Sequence, residues 1–263
     1  MTFETIRLAT DTRGVARLTL ARPDKHNALS AAMIEELTTV ARQLGADPAI
    51  RVVVLAGEGA SFCAGGDLGW MKAQVDADRA TRIAGARRLA QMFQALNSIS
   101  KPVIASVHGN AFGGGIGLLT IADVAIAADT AKFGLTETRL GLIPATISPY
   151  VVARIGEAQA RPLFMSAKII NAREAQAAGL LAQVVPADSL DAAVESEIQP
   201  YLQVAPGAAA ASKALARSLG MPITGDVIEA TIERLADTWE TEEAREGISA
   251  FLEKRKPWWQ NPA

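Results

Sequence analysis

The sequence KPVIASVHGNAFGGGIGLL, residues 101–119, holds the strongest structural signal in the chain. A run of strand-forming residues at 103–107 is followed by three glycines, Gly113 to Gly115, and then by an apolar pattern typical of a helix. A strand that leads into a helix through glycines leaves backbone N–H groups unpaired at the helix N-terminus, where no Cβ keeps a ligand away. Together with the helix dipole, these donors predict a site for an anion or a developing oxyanion. A tight turn that needs small residues only for packing accounts for the same pattern.

Strand and helix patterns alternate around this motif. The predicted strands are residues 3–9, 15–20, 51–55, 103–107, 124–127 and 133–137. Helices are predicted at residues 30–44, with Ser30 as N-cap, and at 77–97. Strands connected by helices favour an α/β fold with a largely parallel sheet and helical crossovers.

Beyond residue 140 the strand signal fades and helical patterns dominate. The predicted helices are residues 149–155, 157–166, 172–179, 190–204, 208–219, 225–239 and 242–254. An isolated extended segment is predicted at residues 182–185. We therefore expect a core of residues 1–200, followed by a helical region of residues 201–263.

Composition narrows the class of protein. Of the 263 residues, 49% are hydrophobic and 21% charged, which is enough apolar surface for a substantial core. The net charge of −2, with both signs interleaved, argues against a nucleic-acid partner. The chain has no apolar run of about eighteen residues, its N-terminus is too polar for a signal peptide, and its single cysteine fits a reducing compartment. We expect a soluble, cytoplasmic protein with no membrane partner.

Two glycine loops and one carboxylate are the candidate site residues. The loop Ala64-Gly65-Gly66-Asp67 follows the strand at 51–55, and Gly113 to Gly115 follow the strand at 103–107. In a parallel sheet both loops lie beyond the carboxyl ends of their strands, so N–H groups from the two loops can converge on one oxygen. Glu137 follows the next strand and could move a proton beside such an oxyanion hole.

Simpler interpretations exist for each of these residues. Glu137 could be a solvated loop residue, and Asp67 could only cap the following helix. Neither glycine loop matches G-x-G-x-x-G or the P-loop, which disfavours a nucleotide site. His26 and His108 are far apart in sequence, so no metal site is expected; His108 is interpreted as structural and Cys63 as inert.

The order and spacing of several motifs resemble the crotonase (enoyl-CoA hydratase/isomerase) superfamily over nearly the whole chain. The motifs are Arg22-Pro23 with Asn27-Ala28-Leu29, FCAGGDL at 62–68, KPVIA at 101–105, Gly109 with Gly113 to Gly115, Phe133-Gly134 with Glu137, GLIP at 141–144 and FLEKRK at 251–256.

This resemblance implies a crotonase (ClpP-like) spiral of ββα units with a C-terminal helical region that trimerises, usually as a dimer of trimers. It implies an acyl-CoA thioester as substrate, with coenzyme A as part of that substrate and no separate cofactor. The backbone N–H groups of Gly66 and Gly114 would form the oxyanion hole, and Glu137 would be the acid/base. The residues implied to bind CoA or substrate are Asp24, Lys25, His26, Ala64, Asp67, Leu68, Phe112 and Lys254, the last in its own or a neighbouring subunit.

One position departs from the family pattern. Hydratases of the two-glutamate type carry a glutamate three residues after the middle glycine, and here that position is Gly117. With Glu137 alone, the resemblance leaves open a hydratase, a Δ3-Δ2 enoyl-CoA isomerase that shuttles one proton, and a non-catalytic acyl-CoA-binding protein.

A finer resemblance is carried by NAFGGGIGL at 110–118 and GLIPATISPYVV at 141–152. These segments resemble the bacterial methylglutaconyl-CoA and isohexenylglutaconyl-CoA hydratase-like branch, which serves leucine or acyclic-terpene breakdown. It implies a branched substrate with a second carboxylate, which Arg139 could approach. Thr146, Ser148 and Tyr150 could then line the acyl pocket.

Overall fold

The computed structural model describes residues 3–260, which form ten strands and ten α-helices. The strands are β1 (Ile6–Thr10), β2 (Val15–Leu20), β3 (Val52–Gly57), β4 (Ser61–Cys63), β5 (Val103–Val107), β6 (Asn110–Phe112), β7 (Val124–Ala128), β8 (Lys132–Gly134), β9 (Ile170–Asn171) and β10 (Gln183–Val185). The helices are α1 (Ala31–Ala46), α2 (Leu68–Val75), α3 (Arg79–Asn97), α4 (Gly114–Thr120), α5 (Ser148–Ser166), α6 (Ala172–Ala177), α7 (Leu190–Leu202), α8 (Pro206–Ser218), α9 (Gly225–Trp239) and α10 (Glu242–Leu252).

The strands form two sheets. The larger has the order β1-β2-β3-β5-β7-β10, and each of its neighbouring pairs is parallel except β1 with β2. Five of the six residues of β3 are buried, as expected for a strand covered on both faces. The predicted α/β class and the largely parallel sheet are confirmed.

The smaller sheet was not predicted from the residue patterns, although the ββα units that the resemblance implies are confirmed. Its order is β4-β6-β8-β9, with parallel pairing from β4 to β8. Each of β3, β5 and β7 lies in the large sheet, and the strand that follows it lies in the small one, which gives the repeated ββα unit. Strands of three residues carry too little periodicity to be recognised in sequence. The glycine loops therefore follow β4 and β6, not β3 and β5.

Helix α1 shows how the sequence builds the core. The Ser30 hydroxyl accepts a hydrogen bond from the Met33 N–H and so caps the helix where it was predicted to begin. The apolar stripe at Met33, Leu37, Val40 and Leu44 is buried throughout. Burying each such side chain contributes about 1.5–3 kcal/mol, so this stripe fixes the helix in the hydrophobic core.

The C-terminal helices pack on the side of the molecule that carries Glu137. Ile228, Ile232 and Trp239 on α9 share a buried cluster with Leu142 and Ala145, which follow Glu137 in the chain. Ile228, Ile232, Leu235 and Trp239 recur at helical spacing in the sequence, which predicts a buried stripe on α9, and all four are buried. Helix α9 itself spans residues 225–239 as expected. The predicted division at residue 200 falls within α7 and stays a prediction.

Other elements differ modestly from the sequence prediction. Helix α5 is interrupted at Gly156, where φ is 74° and ψ 161°, so it consists of the two short helices predicted on either side. The bounds of helix α2 had not been predicted, but Asp67 caps it, as one interpretation of the sequence had it, by accepting from the N–H groups of Gly69 and Trp70. No helix within the described range is long and apolar enough to cross a membrane.

Candidate active site

The three predicted site segments follow three adjacent parallel strands of the small sheet. Strands β4, β6 and β8 lie side by side, and the loops with Gly66, Gly114 and Glu137 leave their carboxyl ends. The two glycine loops touch, since a Cβ built on Gly65 would lie 3.6 Å from the backbone nitrogen of Gly114 and 3.0 Å from the Phe112 carbonyl oxygen. The two loops thus lie side by side, as expected, but the small sheet and not the large one brings them together.

The backbone of Gly66 is oriented by a parallel bridge to Leu29. The Leu29 N–H donates to the Gly65 carbonyl at 2.8 Å, and the Asp67 N–H donates to the Leu29 carbonyl at 3.2 Å. Because its neighbours make both bonds, the N–H of Gly66 points to the opposite side. Within residues 3–260 neither this N–H nor that of Gly114 has a protein acceptor, so both are free to bind an external acceptor.

Glycine is required where the second loop meets the carboxylate. Gly113 adopts φ 48° and ψ −114° immediately before α4, a conformation that side chains rarely allow. A Cβ on Gly113 would also lie only 2.9 Å from Glu137 Oε1. The carboxylate is therefore adjacent to the loop that presents the Gly114 N–H.

Glu137 begins a 3₁₀ turn, Glu137–Leu140, that follows β8. The residue is partly exposed as a whole, but its Oε2 is enclosed and has no hydrogen-bond partner among the described residues. Burial raises the pKa of Glu137 from 4.5 to about 7. Near neutral pH the group therefore populates both the acid and the base form, which suits proton transfer.

The other carboxylate beside the glycine loops, Asp67, is engaged in structural contacts. It forms an ion pair with Arg22 at 3.0 Å and caps α2. Burial alone would raise its pKa, but hydrogen bonds from Arg22 and from the backbone of Trp70 and Gly69 lower it overall. Asp67 thus stays ionised, and its position favours a role in holding the loop.

The position of Gly117 has no room for any side chain. A Cβ there would lie 2.4 Å from Ile147 Cγ2 and 2.8 Å from Cε1 of the buried Phe93 ring. The packing therefore agrees with the absence of a glutamate at this position, because apolar groups fill the space that a second glutamate would need. Glu137 is left as the unpaired carboxylate beside the glycine loops.

Gly66, Gly114 and Glu137 all line one cavity of about 930 Å³. The sequence-predicted residues that line it are Asp24, Lys25, His26, Ala64, Gly66, Asp67, Leu68, Gly114, Glu137, Arg139 and Thr146. Phe112 and Lys254 are not among its lining residues in this single chain, and neither are Ser148 and Tyr150. The Ser148 hydroxyl donates to the Ala145 carbonyl at 2.7 Å, and the Tyr150 ring packs 6.0 Å from that of Phe93.

The loop of Asp24, Lys25 and His26 is fixed by a buried amide. The Asn27 side chain donates to the carbonyl oxygens of Glu58 and Ser61, each at 2.8 Å, and its Oδ1 accepts from the Arg22 N–H at 2.9 Å. His26 and Asn27 both adopt left-handed φ angles, 49° and 53°. These bonds hold the loop at the rim of the cavity, in a conformation that its residues rarely adopt.

Most of the apolar wall of the cavity was not predicted from the sequence. The further lining residues include Ile34, Trp70, Met71, Leu89, Leu142, Ile143, Leu235, Trp239 and Phe251. Leu235 and Trp239 lie on the predicted α9 stripe, but periodicity does not distinguish a side chain in the core from one that lines a cavity.

His108 and Cys63 are the two other groups considered from the sequence. His108 Nε2 lies 2.9 Å from the Gly59 carbonyl oxygen. Cys63 is fully buried, which raises the pKa of its thiol to about 12. Among the residues that the structure describes, no group of three or more His, Cys, Asp or Glu side chains could hold a metal ion.

Known proteins share this architecture along nearly the whole chain. A family profile described as enoyl-CoA hydratase/isomerase matches residues 10–262. A protein of Mycobacterium tuberculosis named as a probable enoyl-CoA hydratase is 36% identical over 263 residues, covering 98% of each chain. The crystal structure of an enoyl-CoA hydratase from Mycobacterium avium superposes with a TM-score of 0.84 at 35% identity, covering 98% of this chain and 100% of that one. Pseudomonas aeruginosa AtuE superposes with a TM-score of 0.79 at 38% identity, with the same coverage.

Proposed function

The chain belongs to the enoyl-CoA hydratase/isomerase family, and we propose that it adds water to a branched, dicarboxylic 2-enoyl-CoA of the methylglutaconyl-CoA type. The observation that carries this proposal is the position of Glu137, whose Oε1 lies against Gly113 beside two unpaired backbone N–H groups. A proton-transfer group and an oxyanion hole are the two elements that chemistry at the Cα and Cβ of a thioester requires.

In this mechanism the thioester oxygen accepts hydrogen bonds from the N–H groups of Gly66 and Gly114. Negative charge gathers on that oxygen when a nucleophile adds to Cβ and an enolate forms. Donors fixed in advance stabilise the enolate more than the ground state, and each is worth roughly 2.7–4 kcal/mol.

Glu137 then moves the protons of the addition. Its carboxylate takes a proton from water while the water oxygen bonds to Cβ, and a proton is delivered to Cα when the enolate collapses. A pKa of about 7 lets the same group act in both directions at neutral pH. A single carboxylate therefore suffices when it lies near both carbon atoms.

Arg139 supports the dicarboxylic part of the proposal. Its side chain lines the same cavity as Glu137, and Nη2 donates to the Ala167 carbonyl at 2.7 Å. A guanidinium has five N–H donors in a fork that matches a carboxylate, so it can bind a second acid group while that bond is kept. The apolar side chain of Ile147 in the same cavity favours an alkyl branch near the reacting carbons.

The isomerase is the second candidate, and the packing at Gly117 favours it. With Ile147 and Phe93 filling that position, Glu137 could remove a proton from C2 of a 3-enoyl-CoA and return it to C4. The oxyanion hole would stabilise the dienolate in the same way, and no water would be added.

Isotope labelling separates these reactions. Purified protein is incubated in H₂¹⁸O with 3-methylglutaconyl-CoA, crotonyl-CoA and 3-enoyl-CoAs, and the products are identified by mass spectrometry. A hydratase places ¹⁸O in the hydroxyacyl product, and an isomerase yields an unlabelled 2-enoyl product. Binding of CoA esters in calorimetry, with no turnover of any of them, would instead indicate a non-catalytic acyl-CoA-binding protein.

We also propose that the chain assembles as a homotrimer or a hexamer in the cytoplasm, with no nucleic-acid or membrane partner. Apolar side chains on and after α8 support the assembly, since Leu215, Leu219 and Met221 are 61%, 80% and 59% exposed. Light scattering after gel filtration would measure the mass, and a monomer at micromolar concentration would refute this assembly. A structure of the assembly with CoA bound would also show whether Lys254 reaches the CoA of a neighbouring subunit.

A further inference from the structure

The C-terminal helix α10 lies with its backbone directly against the turn that carries Glu137. A Cβ built on Gly247 would lie 2.5 Å from the carbonyl carbon of Leu140 and 2.6 Å from its oxygen. These atoms belong to the main chain of the turn, so rotation of a side chain cannot relieve the overlap. Gly247, itself buried, is therefore the residue that lets α10 approach.

The turn that begins at Glu137 also has a glycine where it meets α10. Gly141 ends the 3₁₀ turn at φ 69°, and a Cβ there would lie 2.4 Å from the carbonyl of Glu243 on α10. The Leu142 N–H donates to the Glu137 carbonyl at 3.1 Å and closes the same turn. Each segment thus has a glycine where the backbone of the other comes close, and the Leu142 bond connects this contact to the backbone of Glu137.

The carboxylate of Glu137 has little else to hold it. No side chain of another described residue donates a hydrogen bond to it, and its enclosed Oε2 has no partner. Its position beside Gly113 therefore depends on the placement of its own backbone and on packing. The same helix supplies Phe251 to the cavity wall, so α10 meets the site at two points.

We propose that Gly247 is a positioning residue for the reaction, because it sets the distance between α10 and the turn and thereby holds Glu137 against the oxyanion loop. This inference rests on the acid/base role proposed for Glu137. Gly247 touches no reacting atom, and it acts 110 positions away in sequence from the group that it places.

The test is Gly247→Ala, with Gly45→Ala as the matched control. Gly45 also lies within a helix, α1, but a Cβ there would meet nothing within 4 Å. In Gly247→Ala the added methyl group pushes the turn outward, and kcat should fall on the order of 10²-fold, as for a misplacement of about 1 Å. Gly45→Ala should keep the wild-type kcat.

The pH dependence distinguishes positioning from a general loss of structure. A displaced Glu137 is less buried, so the bend of the kcat/KM profile should move from near 7 to a lower pH, by about one unit or more. In a Glu137→Gln background, Gly247→Ala should cause no further loss of turnover. A wild-type kcat and profile would overturn the inference, and so would a loss of kcat with an unmoved bend.

A measurement without substrate keeps this inference separate from the proposed function. Burial of Glu137 makes the stability of the fold fall between pH 5 and pH 8, and this fall should shrink in Gly247→Ala but not in Gly45→Ala. If the wild-type protein turned over no enoyl-CoA, the proposed function would fail while this measurement still decided the placement. Should Gly247→Ala not fold, Ile248→Val is the substitute, because Ile248 on α10 shares a buried cluster with Leu142 of the turn and the shorter side chain loosens that packing mildly. In this variant the bend of the kcat/KM profile must move to lower pH, and the fall in stability between pH 5 and pH 8 must shrink.

Discussion

Replacing Glu137 by glutamine should lower turnover and, above neutral pH, raise the stability of the fold. The substitution keeps the size of the side chain and removes its charge and its titration. Loss of the proton-transfer group should reduce kcat by about 10²–10⁴-fold, whereas binding of CoA esters should persist because the glycine N–H groups are untouched.

The size of the stability effect follows from the pKa. Burial raises the pKa of Glu137 from 4.5 to about 7, and each pKa unit corresponds to about 1.4 kcal/mol. Between these two values the folded protein keeps the proton that the unfolded chain releases, so the free energy of unfolding falls as the pH rises. Above pH 7 the wild-type protein is less stable by about 3 kcal/mol than it would be without this shift, and below pH 4.5 the penalty is absent.

Urea denaturation followed by circular dichroism at pH 5 and pH 8 measures this effect, at one fixed protein concentration. The free energy of unfolding should fall from pH 5 to pH 8 by up to about 3 kcal/mol more in the wild type than in Glu137→Gln. Glu35→Gln is the control, because Glu35 is exposed on α1 and should leave both turnover and pH dependence unchanged. Equal pH dependence in the wild type and Glu137→Gln would refute the burial argument, and full activity of that variant would refute its catalytic role.

Four further substitutions or reactions test other parts of the structure. Gly117→Ala should cost about 1–3 kcal/mol in urea unfolding, because its methyl group would overlap Ile147 Cγ2; a neutral effect would contradict the tight packing. Arg139→Gln should lower kcat/KM at least about tenfold for 3-methylglutaconyl-CoA and leave crotonyl-CoA unaffected, with Arg139→Lys intermediate; equal losses would reject a carboxylate-binding role. Cys63 should resist iodoacetamide at pH 8 until urea unfolds the chain, because its thiol is buried with a pKa of about 12; rapid labelling of the native protein would disprove this. Leu37→Ala should destabilise the fold by about 2–5 kcal/mol without changing KM, as calorimetry and kinetics would show.

The large sheet and the order of its elements were predictable from local residue patterns. Runs such as residues 51–55 and 103–107 consist mainly of β-branched and apolar residues. This composition predicts buried strands without reference to the rest of the chain. The α1 and α9 stripes likewise carry the helical period, so both helices were placed nearly at their true bounds. Local patterns suffice here because the period of a secondary structure is a short-range property.

The candidate site was predictable only in part. The two glycine loops and Glu137 were identified as the reactive groups, and the structure brings all three together around one cavity. The strands that do so, β4, β6 and β8, were missed or misplaced because each has only three residues. Their parallel pairing, and not that of the large sheet, places the loops side by side.

The amino-acid sequence by itself determined the class of fold, the residues with reactive backbone or side-chain groups, and the absence of a glutamate at Gly117. Only the tertiary structure decided that Ile147 and Phe93 fill that position, that Glu137 is buried enough to titrate near neutral pH, and that α10 rests on its turn. The reason is physical: burial and close contact depend on residues far apart in the chain, such as Gly247 and Leu140, and no local pattern records which of them will meet.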